Sequence, residues 1–537
     1  MLPRMGTHLG PLARDVDAIL ARLERDRVVE RVWAKDHTLW RTEPAEIADR
    51  LGWLDLVREP PPADAELEAL VADVRREGLA DVVLLGMGGS SLGAEALRAS
   101  FGEQPGFPRL QVLDSTHPSW VRRVRRAIDP GRTLFLVASK SGTTAEVMAF
   151  YRYFRAETEA AVGAADGLSF VAVTDPGTPL ARLAAECGFR HTLLNPPDVG
   201  GRFSVLSRFG LAAAALAGID ARELLRRAHA MAARTRPGPP AAENPGAWLG
   251  AVLGAAVARG RFLPTLLTSA RVATIGLWVE QLLAESTGKE GTGALPVTLE
   301  PAADPHAYGD RRLFVALRYG RDAELDARVE ALAAAGQPVV ELALDEPADL
   351  GGELFRWEFA TAVLGYVLGV QPFDQPNVQT AKTETDRLLA AFRATGRLPP
   401  AAADGDLRRA LDARPLFVAL MSYTDAGEGY EAAIAALRER LLRGFGVATT
   451  FGYGPRFLHS TGQFHKGGVG CGLFVQLVAE TGADLAIPGE PYGFGTLCQA
   501  QAAGDLAALA SQGRRALRID LGDDATAGVL RLVDELG

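Results

Sequence analysis

Residues 80–101 read ADVVLLGMGGSSLGAEALRASF. A short unbroken apolar run meets a corner of glycine and serine, and a helical pattern leads away from it. A run of this length is a strand buried on both faces, whereas a helix would need more turns and one polar face. LQVLDS (110–115), TLFLVAS (133–139) and LSFVAVTD (168–175) repeat the pattern, with helical stretches between them. Strands of that kind alternating with helices form a parallel sheet covered on both sides. The fold class is therefore α/β, doubly wound, and the first such domain is expected over 61–235.

On its N-terminal side, residues 1–60 are expected to be a helical segment. LARDVDAILARLERDRVVERVWA there carries apolar residues at i, i+3, i+4 and i+7 spacing. On the other side, the Pro/Gly/Ala stretch RTRPGPPAAENPGAW (234–248) reads as a linker. A second α/β domain over 246–395 follows, with FLPTLLTS, LFVALRYG and PVVELALD as strands and ATIGLWVEQLLAES and ELFRWEFATAVLGYVLGV as helices. A second break, TGRLPPAAADGDLRR (395–409), precedes a C-terminal α/β extension over 405–537. There PLFVALMSY, GVATTFGY, ADLAIPG and ALRIDLG are strand-like.

Composition narrows the function. The chain has 537 residues, too many for one core, and a net charge of −9, which argues against a general nucleic-acid binder. No apolar run reaches the length of a membrane span, and the N-terminus lacks the apolar core of a signal peptide. Three scattered cysteines, Cys187, Cys471 and Cys498, form neither a disulfide framework nor a CxxC site, so a reducing cytoplasmic location is expected. Only five of the 57 basic residues are lysine: Lys35, Lys140, Lys289, Lys382 and Lys466. Where arginine has replaced nearly every other basic side chain, a surviving lysine marks a place that needs a compact ammonium.

The glycine corner LLGMGGSSLG (84–93) is not the dinucleotide fingerprint, because serine stands at 91 where the third glycine belongs, and it is not a P-loop. Its glycines permit a ligand to approach the backbone, with Ser90 and Ser91 as donors. At the end of a later strand, SKSGTT (139–144) places four hydroxyls and a lysine at a helix N-terminus. One N-cap uses one hydroxyl. Four of them, Ser139, Ser141, Thr143 and Thr144, together with Lys140 and the helix dipole, suit a monophosphate. VGGRFSVLS (199–207) offers Arg202 to a developing negative charge. In WVEQLLAESTGKEG, Glu285 occupies the last turn of a helix, where the dipole disfavours a carboxylate, so a role as general base would explain it. QPFDQPNVQTAK supplies Gln375 and Lys382, and HSTGQFHKGG supplies His459 and His465 with no third metal ligand in view.

Taken in order, GMGGSSLG, SKSGTTAEV, VGGRFSVLS, AESTGKEG and FDQPNVQTAK resemble the glucose-6-phosphate isomerase family over roughly residues 80–390. WAKDHTLW and HSTGQFHKGG are most similar to the isomerase half of bifunctional transaldolase/glucose-6-phosphate isomerases, whose other half would need a further barrel of roughly 250 residues. The resemblance implies two sugar-isomerase (SIS) domains of three αβα layers and a cofactor-free, metal-free reaction on a small sugar phosphate. It also implies a homodimer. Ser139, Lys140, Ser141 and Thr144, helped by Thr143, Gly89 and Ser90, would hold the 6-phosphate. Glu285 would move a proton between C1 and C2, Arg202 would stabilise the enediolate, and Lys382 with Gln375 would assist ring opening or orient the sugar. A ring-opening histidine supplied by the neighbouring subunit is also implied. His306, in EPAADPHAYG, fits the family's order along the chain, and His459 is the other candidate. Two readings stay beside the main one: an isomerase that also accepts mannose 6-phosphate, and a non-catalytic sugar-phosphate sensor.

Overall fold

A computed structural model describes residues 7–60, 64–163, 167–401, 405–480 and 482–537. Residues 1–6 of the expected N-terminal segment, 61–63 at the expected start of the first domain and 402–404 in the second break lie outside them. The described residues build three parallel sheets. The first contains β1 (Asp81–Leu85), β2 (Arg109–Leu113), β3 (Thr133–Ala138), β4 (Phe170–Thr174) and β5 (His191–Leu194), in the order β2-β1-β3-β4-β5. The second is β6 (Leu263–Thr268), β7 (Arg312–Tyr319) and β8 (Val339–Leu344), in sequential order. Both of its edges are extended by short bridges, Val297 running parallel to Thr265 and His8 antiparallel to Val339. The third is β9 (Phe417–Tyr423), β10 (Ala448–Tyr453), β11 (Gly472–Val478) and β12 (Arg515–Asp520), ordered β10-β9-β11-β12.

Every residue of β1, β3 and β4 is buried, as expected for strands with helices on both faces. The C-terminal extension thus has a doubly wound sheet of its own, but its strands differ from expectation. ADLAIPG makes only an isolated bridge, Ala486 to Gly493. Asp484 in it accepts the backbone N–H groups of Leu485, Gly495 and Thr496, which turns the segment into a cap for the helix Phe494–Ser511. The buried strand β11 comes instead from GLFVQLV, whose pattern is masked by the glycines of HKGGVGCG in front of it.

The N-terminal stretch is two helices, Leu12–Arg25 and Val28–Trp33, broken at Arg27, which adopts a left-handed φ of 52°. Trp33 and Asn244 both donate to the Thr235 carbonyl, at 2.8 Å each, so the Pro/Gly linker is pinned against this segment. Trp40 donates to the Ala362 carbonyl and meets Phe373 edge-on at 5.0 Å. This braces the loop that follows the buried helix Leu350–Leu368. Among the described residues no helix is long and apolar enough to cross a membrane.

Candidate active site

Six polar segments meet around Arg202, Glu285 and His459. β3 delivers Ser139–Thr144, and the helix Ala145–Val162 starts there. Thr144 stands at that helix's N-cap yet makes no capping bond, because its hydroxyl pairs with Ser139 Oγ at 2.9 Å. Ser141 and Thr143 pair likewise at 2.9 Å, both exposed. The first-turn N–H groups therefore lack a side-chain cap from Thr144, the arrangement an incoming anion uses. Gly142, at φ +69°, makes the turn possible, since a Cβ there would lie 2.7 Å from the Leu180 nitrogen. Lys140 is the exception in this corner. Its ammonium is engaged by Asp175 and, at 2.9 Å, by the Pro197 carbonyl.

Gly88–Ser90 forms a tight turn after β1 and packs on the turn Gly201–Phe203. Gly88 has φ +55°, and a Cβ on it would lie 2.7 Å from the His459 carbonyl and 3.0 Å from Gln281 Nε2. Only glycine suits both constraints. Gly89 likewise abuts Gly201 and the Arg202 nitrogen.

Arg202 and Glu285 lie at the centre. Glu285 ends the helix Ile275–Thr287, is only 7% exposed, and pairs through Oε1 with Arg202 at 3.2 Å. Gln281, one turn earlier and so on the same face, donates to Glu285 Oε2 at 3.1 Å and to the His459 carbonyl at 2.8 Å. Arg202 also donates to Ser286 Oγ at 2.9 Å, Gln375 Oε1 at 2.7 Å and the carbonyls of Pro372 and Asp374 at 3.1 and 2.7 Å. Burial pulls this guanidinium below its usual value, against the opposing charges of Glu285 and Asp374. Lys289 holds the same loop through the Gln371 and Asp374 carbonyls and the Asp374 carboxylate. Burial first, and Arg202 second, push its ammonium down to about 7.

His459 arrives from the C-terminal unit on the turn Arg456–His459. Its Nε2 lies 3.0 Å from Glu146 Oε1, in the first turn of the helix that begins at the hydroxyl corner. Burial alone would raise the Glu146 pKa. The charge and hydrogen bond of His459, a backbone N–H and the charge of Lys382 reverse this and lower it. Lys382 is exposed on the helix Val378–Thr395, and its charge is the weakest of these influences on the carboxylate. Gln463, four residues past His459, binds the Gly288 carbonyl at 2.9 Å and Asn377 Oδ1 at 2.7 Å, joining the ends of the Glu285 and Lys382 segments.

The structure thus brings Gly89, Ser139, Ser141, Thr143, Thr144, Arg202, Glu285, Gln375 and His459 near one another, with Ser90 on the Gly88–Ser90 turn and Lys382 exposed on the neighbouring helix Val378–Thr395. Within its own chain, His306 is not brought there. That residue is exposed on the turn Pro305–Ala307, where its N–H bonds Asp304 at 2.9 Å. The segment before it is tied to the third sheet by Glu300, which accepts the Thr449 N–H at 2.9 Å. His465 packs between Phe457 and Phe474, with ring centroids 5.9 and 5.0 Å away. Glu146, Gln281, Gln463 and Lys289 are participants that the sequence reading did not assign. Glu146 stood inside SKSGTTAEV, and its signal was a carboxylate just past an anion-binding corner. Gln281 stood one turn before Glu285.

Doubly wound parallel sheets, a hydroxyl-lined helix N-terminus at a strand end, and a carboxylate paired with a buried arginine suit proton transfer on a small phosphorylated substrate. Comparison with known proteins agrees. The phosphoglucose isomerase family model matches residues 73–299. Glucose-6-phosphate isomerase of Rubrobacter xylanophilus is 31% identical over 424 residues, covering 69% of this chain and 95% of that protein. The Thermus thermophilus enzyme of the same name is 33% identical, covering 65% and 92%. A solved structure of a hypothetical protein from Thermus thermophilus superposes with a TM-score of 0.62 at 29% identity, over 71% of this chain and 99% of that one. A glucose-6-phosphate isomerase structure from Chlamydia trachomatis, 19% identical, shares the fold with a TM-score of 0.60 over 71% and 87%. The chain belongs to the glucose-6-phosphate isomerase family.

Proposed function

We propose that the protein interconverts D-glucose 6-phosphate and D-fructose 6-phosphate, the aldose–ketose step of glycolysis and gluconeogenesis, with Glu285 as the base. The observation that supports this reading is the buried pair of Glu285 with Arg202, joined through Gln281 to the backbone carbonyl of His459. The 6-phosphate sits on the first turn of the helix Ala145–Val162, among the hydroxyls of Ser139, Ser141, Thr143 and Thr144. The backbone of Gly89 and Ser90 lines its approach. Lys140 contributes field rather than a direct bond, since its ammonium is already engaged.

Hexose phosphates are mostly cyclic, so the ring must open first. His459, backed by Glu146, exchanges a proton with the ring and anomeric oxygens, and Lys382 steadies the charge that develops there. Glu285 then removes the C2 proton of the open aldose. The two oxygens of the resulting cis-enediolate share negative charge, and Arg202 stabilises it. Return of the proton to C1 yields the ketose. A positioned base and a fixed cation each typically contribute a hundredfold or more. Gln375, bound to Arg202, orients the sugar. These steps use side chains of one chain only, and the reading places the enzyme in the cytoplasm.

The test is to incubate protein dialysed against EDTA with fructose 6-phosphate and follow glucose 6-phosphate with a coupled dehydrogenase. Turnover supports the isomerase. Tight binding of fructose 6-phosphate with no turnover contradicts it in favour of a sensor.

A further inference from the structure

The Glu146 carboxylate has a second donor. Its Oε1, which lies 3.0 Å from His459 Nε2, also accepts Gln501 Nε2 at 2.7 Å. Gln501 sits on the helix Phe494–Ser511 of the C-terminal unit, 355 residues along the chain from Glu146. Its other end is fixed as well, because Gln501 Oε1 accepts Thr116 Oγ1 at 2.7 Å. Thr116 follows β2 in the first sheet and is fully buried, and Gln501 is 4% exposed. This arrangement sets the amide's orientation. Flipped, it would set its oxygen against the carboxylate and its NH2 against the hydroxyl it now accepts from. The amide therefore donates to Glu146.

A second contact on the same helix acts on the same segment. Asp505, one turn beyond Gln501 and on the same face, binds Lys466 Nζ at 2.6 Å, with both side chains buried. Lys466 belongs to the short helix Gly462–Gly467 that follows His459. The helix Phe494–Ser511 thus holds the histidine segment twice: through Glu146 at the ring, and through Lys466 beyond it. Gln501 itself contacts Glu146 and Thr116 and does not reach the hydroxyl corner or Glu285.

We propose that Gln501, oriented by Thr116, is a positioning residue for ring opening: it fixes the Glu146 carboxylate so that His459 is held in one ring orientation. This rests on the isomerase reading above. It follows that residues 405–537 complete the active site within a single chain. A carboxylate with one donor pivots about its χ angles, and one with two donors on a single oxygen does not. Ring opening, which needs His459 aligned with the ring oxygen and the anomeric oxygen in turn, is the step that depends on this. Carbon proton transfer by Glu285 is not.

Anomerisation of glucose 6-phosphate separates the two, since it requires ring opening and closure but no carbon proton transfer. The experiment measures catalysed anomerisation by exchange NMR, isomerisation by the coupled assay, and inorganic phosphate binding by calorimetry. It compares wild type, Gln501→Leu, Gln501→Glu and Glu285→Gln. Gln501→Leu is expected to lose anomerisation and isomerisation together, roughly ten- to a hundredfold, with phosphate binding unchanged. Glu285→Gln is expected to lose isomerisation and keep anomerisation. Gln501→Glu sets two carboxylates side by side and can donate only when it carries the shared proton. Its anomerisation should therefore recover as pH falls, unlike that of Gln501→Leu. An active wild type with anomerisation intact in Gln501→Leu, or no acid recovery in a folded Gln501→Glu, overturns this inference alone. An inactive wild type overturns the isomerase reading itself.

Discussion

Gln281 donates from one nitrogen to Glu285 Oε2, at 3.1 Å, and to the carbonyl of His459, at 2.8 Å. The side chain read as the proton-transferring base and the backbone read as carrying the ring-opening histidine are therefore set by one amide. Gly88 closes on the same point, leaving no room for a Cβ. Gly88→Ala should displace His459 and Gln281 together and also strain a φ of +55°. A loss of kcat of about tenfold or more, measured in the coupled assay with phosphate binding preserved, is expected. Unchanged kcat would contradict this placement.

The hydroxyl corner makes a graded prediction. Thr144→Ala and Ser141→Ala should each raise KM for fructose 6-phosphate several-fold with little change in kcat, because they remove donors from an anion that is bound equally in ground and transition states. Lys140→Met should change KM less than the paired hydroxyl replacements, since its ammonium is held by Asp175 and Pro197. A larger KM effect for Lys140→Met would mean that the lysine swings onto the phosphate.

Lys466 and Asp505 form an ion pair with both side chains at 2% exposure or less. Lys466→Met leaves Asp505 buried without its counter-charge, so a loss of about 3–5 kcal/mol in urea unfolding is expected. The double change Lys466→Met with Asp505→Leu should recover most of it. Failure of the double variant to recover would show that the pair contributes more than mutual compensation.

Glu280 gives a pH dependence of stability. It is 5% exposed, and burial raises its pKa from 4.5 to about 8, more than Arg438, Thr298 and Arg456 lower it. The unfolded chain ionises this group near 4.5 while the folded chain keeps it protonated, so the folded state binds the extra proton between those values. Its contribution is therefore lost as pH rises from about 4.5 to about 8, at up to about 1.4 kcal/mol per pH unit. Glu280→Gln should flatten the Tm profile across that window and raise Tm at the window's alkaline end. Parallel profiles for variant and wild type would contradict the assignment.

Strands β1 to β4 and the three of the second sheet were legible because each is a short apolar run bounded by turn residues. β11 was not, since its start is buried in glycines, and ADLAIPG mimicked a strand while acting as a helix cap. The five local motifs were legible for a similar reason, because anion sites concentrate glycine and hydroxyl residues within a few positions. Gln281 and Gln501 were not, because a single amide has no local signature, and Glu146, though inside SKSGTTAEV, finds its partners His459 and Gln501 far along the chain. Their roles arise from contacts between segments up to 355 residues apart. The same limit explains His306. Chain order favours it, whereas the contact of His459 with Glu146 joins segments 313 residues apart and has no trace in chain order. Of the scarce lysines, Lys289 holds the Asp374 loop beside Arg202 and Lys140 is engaged by Asp175, whereas Lys466 pairs with Asp505 in the interior and Lys35 pairs with Asp55 at the surface.

The central claim is tested most directly by kcat for Glu285→Gln with fructose 6-phosphate, measured beside calorimetric binding of the same sugar. Binding within a few-fold of wild type and a kcat at least ~10²-fold lower are expected. Near-normal turnover in that variant would contradict the role of Glu285 as base, and the proton would have to move through another residue.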